Sequence, residues 1–177
     1  CPTGAIVEPG VVDARRCLAW LVQKPGVFPR EYRVALGDRI YGCDDCQESC
    51  PPTVRLADRV RGRVDVPGPG ATVDLLEILG SSDDELLARY GRWYLAERDP
   101  RWLRRNALVI LGNVADPSGQ DQVVEVLHRY LVGDDPLLRS HALWAAQQLG
   151  LLDLCSLVAE DPDPVVQDEL AALGSIS

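Results

Sequence analysis

Three cysteines fall within "YGCDDCQESCP", Tyr41 to Pro51, at the spacing C-x2-C-x3-C followed by proline, and the chain opens on a further Cys-Pro pair in "CPTGAI". Thiols in such runs hold metal. In two-cluster ferredoxin motifs the run is C-x2-C-x2-C-x3-C-P, and the cysteine before the proline ligates the other cluster. Cys50-Pro51 and Cys1-Pro2 both occupy that last position. Cys1 is therefore grouped with Cys43 and Cys46, and Cys50 with three cysteines expected ahead of Cys1 in a longer protein. Cys17 supplies the missing thiolate, so that Cys1, Cys17, Cys43 and Cys46 form one four-thiolate site. Structural zinc competes for such a set, because four thiolates also suit tetrahedral Zn2+. A zinc ribbon pairs two C-x2-C knuckles, however, whereas one knuckle here joins two isolated cysteines. The sixth cysteine, Cys155 in "LLDLCSLV", reads as a core residue.

The elements that must position these thiols are short. Residues 1–63 are rich in Gly, Pro and Cys and read as a ferredoxin-type iron–sulfur segment, incomplete at its N-terminus. "VDARRCLAWLVQ" predicts a helix with Asp13 as N-cap and Leu18, Leu21 and Val22 on one side. "REYRVALGDRIYG" predicts another ending at Gly37. Residues 64–74, "VDVPGPGATVD", read as a linker. Residues 75–177 then switch to amphipathic helices. Asp-Pro pairs at 99, 135 and 163 are helix starts, and glycines at 112, 150 and 174 are expected to end them. Stacked helix pairs of the HEAT type fit this better than a closed bundle. The fold class is thus mainly α: a ferredoxin-like segment followed by HEAT-like repeats.

Composition narrows the function. Five of the six cysteines lie in the first 50 residues, which argues for a metal site in a reducing, cytoplasmic setting rather than a secreted disulfide framework. No apolar run is long enough to span a bilayer. The chain has no methionine, even at position 1, and is expected to be a piece of a longer protein. The net charge of −9 argues against nucleic acid, yet the charge is uneven. From Leu86 to Arg105 six arginines (89, 92, 98, 101, 104 and 105) face only Glu97 and Asp99. With Trp93, Tyr94 and Trp102 interleaved, this stripe suits phosphates and unpaired bases. A solvated helix face with its aromatics packed inward is the bland alternative. His128 and His141 lack ligand spacing and read as structural.

"CPTGAI", "RCLAWL", "GDRIYGCDDCQESCP" and the helical tail occur in the order found in the epoxyqueuosine reductases, and the chain resembles their C-terminal portion. After Cys17 it reads "LVQK" where members commonly carry Leu-Thr-Ile-Glu. The resemblance implies two 4Fe-4S clusters and a cobalamin, which together reduce epoxyqueuosine to queuosine at the wobble position of tRNA. It implies that Cys43 and Asp44 line the corrin pocket, and that Arg89, Arg98, Arg101, Arg104 and Arg105 contact tRNA. It further implies an external electron donor, a monomer, and a catalytic acid outside this chain, which alone is expected to be inactive. The competing reading is an electron-transfer module whose helical repeats dock a protein.

Overall fold

The computed structural model describes residues 1–60, 72–116 and 121–174. The expected linker at 64–74 therefore lies outside the described residues up to position 71.

Among the described residues the only sheet is a short antiparallel hairpin of β1 (Ile6–Glu8) and β2 (Val11–Val12). Asp13 caps the next turn by accepting from the Arg15 N–H, but that turn is 3-10 and spans only Ala14–Arg16. Cys17, with extended φ and ψ, interrupts the single helix expected here, and α1 restarts at Leu18–Leu21. Leu18, Leu21 and Val22 are buried, as the pattern required. Helix α2 (Arg30–Leu36) ends at Gly37, whose φ of +60° is one that L side chains rarely adopt. Helices α3 (Asp45–Glu48) and α4 (Pro51–Val60) follow.

The helical part comprises α5 (Leu75–Gly80), α6 (Asp83–Tyr90), α7 (Arg101–Val114), α8 (Asp121–Leu131), α9 (Pro136–Gln148), α10 (Leu152–Cys155) and α11 (Pro164–Gly174). Ser82 and Glu85 close a capping box on α6. Asp135 accepts from the Leu137 and Leu138 N–H groups ahead of Pro136, and Asp163 accepts from Val165 N–H ahead of Pro164. Asp99 does the same for Arg101 N–H at the start of α7. Alternate helices pack in a row, α5 on α7, α7 on α9 and α9 on α11, while α8 covers α5 and α9. Gly112 does not end α7, contrary to the sequence expectation; the helix runs through it to Val114. A Cβ at Gly112 would lie 2.8 Å from the Trp144 ring and 2.9 Å from the Ala145 Cα, so this glycine lets α7 and α9 approach closely.

One core runs through both parts, joining Leu18, Leu21, Phe28 and Leu36 to Leu108, Ile110, Leu143 and Val166. Polar bolts reinforce it around the loop that follows Cys17. Arg105 on α7 is completely buried and donates to the carbonyls of Leu21, Val22, Lys24 and Gly26 and to Asn106 Oδ1. Its guanidinium also lies over the Phe28 and Trp102 rings. Burial, and then the charge of Arg33, pull its pKa down to about 9, which still leaves it a cation at neutral pH. Arg33 donates to the Phe28 carbonyl and makes a bidentate ion pair with Glu169 of α11, at 2.9 and 3.1 Å, with both side chains buried. Arg30 joins the same carboxylate.

His141 of α9 completes the loop's anchoring. Its Nε2 accepts the Phe28 N–H at 3.1 Å, so Nδ1 carries the proton donated to the Leu137 carbonyl at 2.7 Å. Burial, then the charge of Arg33, hold its pKa well below 6.5. Below pH ~6.5 the unfolded chain takes up a proton that the folded chain refuses, so stability falls with pH by up to about 1.4 kcal/mol per unit from this group. Urea midpoints from pH 7.5 to 5 should show this acid-side loss, and His141→Gln should flatten it. An unchanged slope in His141→Gln would contradict the assignment.

Candidate metal centre

All six cysteines are free thiols. Cys1 opens a turn in which Gly4 N–H donates to the Cys1 carbonyl and Ala5 N–H points at the Cys1 sulfur from 3.2 Å. That turn is tied to the residue before Cys17, because Thr3 Oγ1 donates to the Arg16 carbonyl and Arg16 Nη2 donates to the Thr3 carbonyl. The interruption at Cys17 now has a reason: its extended backbone ends the 3-10 turn and turns the chain into α1, with Cys17 at the N-cap.

Cys43 lies in the loop before α3, half-buried, and Cys46 lies in α3, exposed. Asp45 between them receives a forked Arg39 guanidinium, and Arg39 also donates to the Leu36 carbonyl at the end of α2. Burial would raise the Asp45 pKa, but the Arg39 hydrogen bonds and charge outweigh it; the carboxyl ends below its ordinary value. Burial is also the main cause that pushes the Cys43 thiol up. The Cys50 backbone carbonyl accepts Val54 N–H at the head of α4, with Pro51 in the first helical position. Asp44 is exposed and its carboxylate accepts from Gln47.

Among the described residues no three Cys, His, Asp or Glu side chains converge as on a single ion. Each thiolate of a 4Fe-4S cube binds its own iron at its own corner. The donor chemistry, thiols alone on three segments, two of them tied together through Thr3 and Arg16, fits that group. The ties were not legible in the cysteine spacing; Thr3, Arg16, Arg39 and Asp45 all lie inside the quoted motifs, but nothing local marked the partner each would meet.

The arginine stripe divides on inspection. Arg105, expected at a tRNA surface, is buried with its donors engaged by backbone carbonyls, so it belongs to the fold. Trp102 is buried as well, its Nε1–H donating to the Ala96 carbonyl. Arg104 is mostly enclosed, bound to Asp83 and to the Ser81 carbonyl. Arg101 pairs with Asp135 at 2.8 Å, and Arg89 pairs with Glu77. These ion pairs join neighbouring helices. Arg98 is exposed, and so, at 63%, is Tyr94 earlier in the same loop. Glu97 and Arg98 both have positive φ, 57° and 56°, a strained turn for residues with side chains. This loop rests on the cysteine segment: Trp93 stacks on Tyr41 with ring centroids 4.6 Å apart, and Tyr94 N–H donates to the Tyr41 hydroxyl.

Residues 1–53 match the family described as a 4Fe-4S double cluster binding domain, here followed by a layered set of helices. Over more of its length the chain is 33% identical to an epoxyqueuosine reductase of Bacillus subtilis, covering 85% of this chain and 38% of that protein. It is 39% identical to the epoxyqueuosine reductase of Shewanella oneidensis, covering 87% and 39%. A crystal structure of an epoxyqueuosine reductase with an epoxyqueuosine-modified tRNA-Tyr stem loop superposes with a TM-score of 0.76 at 29% identity, over 97% of this chain and 46% of that one. The chain is a homologue of the epoxyqueuosine reductases, and it spans about two fifths of the length of those it matches in sequence. No helix among the described residues is long and apolar enough to cross a membrane.

Proposed function

We propose that this chain is the C-terminal portion of an enzyme that reduces epoxyqueuosine to queuosine in tRNA, with Cys1, Cys17, Cys43 and Cys46 holding one 4Fe-4S cluster. Cys50 belongs to the other cluster, together with cysteines outside this chain. The observation that carries this is the match of residues 1–53 to a double-cluster family, a stretch that holds five of the six cysteines, all of them free. When bound, the clusters and a cobalamin supply the electrons and the reducing metal chemistry that removal of an epoxide oxygen requires. This chain's contribution is to bind and orient. Cys43 and Asp44 face the corrin, and exposure of Gly42 and Asp44 supports that role. The proton donor lies outside the chain, which alone does not catalyse; electrons come from an external donor, and the protein works as a cytoplasmic monomer. Residues 75–177 serve as HEAT-like repeats, a reading supported by the row of alternate helices.

The tRNA surface centres on the Tyr94–Arg98 loop, flanked by Arg89, Arg101 and Arg104, which exchange carboxylate partners for phosphates. A tRNA-bound structural neighbour supports this. In the full-length protein, Tyr94→Ala should weaken binding of the modified stem loop by about 1–3 kcal/mol with little change in salt dependence, as expected for lost base stacking. Arg98→Ala should lower the log–log salt slope by roughly 0.7–0.9, the contribution of one phosphate contact. Arg129→Ala, an exposed arginine on α8, should change neither by as much. Equal losses at Arg98 and Arg129 would contradict a docked site and favour the electron-transfer module.

A further inference from the structure

We propose that Arg39 and Asp45 form a positioning pair that holds the Cys43–Cys46 ligands and balances charge at the Cys43 sulfur; this rests on the assignment of those cysteines to a cluster. Asp45 is the first residue of α3 and stands between the two thiols. Its Oδ1 receives Arg39 Nη2 at 2.9 Å and Nε at 3.1 Å, and its Oδ2 receives Nη2 at 3.1 Å. Arg39 Nη1 is fixed on the Leu36 carbonyl at 3.1 Å, so the fork bridges the end of α2 to the start of α3. Lysine lacks this planar fork and cannot reproduce the geometry.

The same carboxylate lies 3.5 Å from the Cys43 sulfur, which as a thiol donates to it. Iron binds the thiolate, which has no proton to donate. Asp45 then faces an anionic sulfur, and the Arg39 guanidinium is the compensating charge. The pair is partly buried, with side chains 31% and 28% exposed, so solvent screens it incompletely. Charge and hydrogen bonding beside a cluster's sulfurs set how readily it accepts an electron. Asp45 disfavours the added electron and Arg39 favours it.

The test is an EPR-monitored redox titration of the cluster-loaded full-length protein, with iron content measured on each sample. Asp45→Asn keeps the side chain's size and an acceptor for Arg39; it should retain iron and shift the potential of this cluster upward. Arg39→Gln should shift it downward, with reduced iron content because the fork is lost. Arg39→Lys should return the potential most of the way while leaving iron content low. Opposite shifts separate charge balance from simple loop support, which would lower occupancy without moving the potential of the cluster that remains. If Arg39→Gln sheds the cluster, Asp45→Asn decides. An unshifted potential, a downward shift, or iron loss in Asp45→Asn overturns the proposal. Wild-type iron content unaffected by Cys43→Ser would instead overturn the ligand assignment beneath it.

Discussion

Replacing Arg105 with alanine should destabilise the fold by on the order of 4–5 kcal/mol, beyond what most single substitutions cost. The substitution leaves four backbone carbonyls and Asn106 Oδ1 without this donor in a buried setting, and opens a void between Phe28 and Trp102. Arg105→Lys should recover little, because a single ammonium cannot span carbonyls that a planar fork reaches together. Urea denaturation checks this, with Arg98→Ala expected to stay within about 0.5 kcal/mol of the parent as an exposed substitution. Loss of Arg105 should also loosen the loop after Cys17. Equal stability of Arg105→Ala and Arg98→Ala would show that the carbonyl cage does not hold the cysteine segment to the helices.

Cys17→Ser should abolish the cluster as completely as Cys46→Ser, since either change leaves one iron without its thiolate. Serine keeps the size of the side chain, and neither position carries much of the hydrophobic core, so folding is not the cause of the loss. Iron per chain after anaerobic reconstitution of this chain reads the effect directly. Cys50→Ser should leave that iron content unchanged, because its cluster draws its other ligands from outside this chain. Equal loss from Cys50→Ser would show that the exchange of last ligands between the two motifs is wrong.

The sequence revealed what local chemistry decides. Cysteine spacing grouped the candidate thiols, Asp-Pro pairs marked the starts of α9 and α11, and Gly37 marked the end of α2. What stayed hidden depends on distant parts of the chain. A charge count treats every arginine as surface, but Arg105 is buried by carbonyls 79 to 84 residues away. Gly112 looked like a terminator because glycine both ends helices and admits close neighbours; only Trp144 and Ala145 reveal which applies. Asp45 was visible inside "CDDC", but its function depends on Arg39 folding back from the end of α2. The aromatic residues divided the same way: Trp102 turned inward, Trp93 packed on Tyr41, and Tyr94 remained at the surface.

Metal analysis of the anaerobically reconstituted chain tests the central claim most directly. Four irons per chain, with matching acid-labile sulfide and broad visible charge-transfer absorption that disappears in Cys17→Ser, is the result expected of a 4Fe-4S cluster on Cys1, Cys17, Cys43 and Cys46. A colourless protein retaining one tightly bound zinc ion per chain, lost in the same variant, would contradict it.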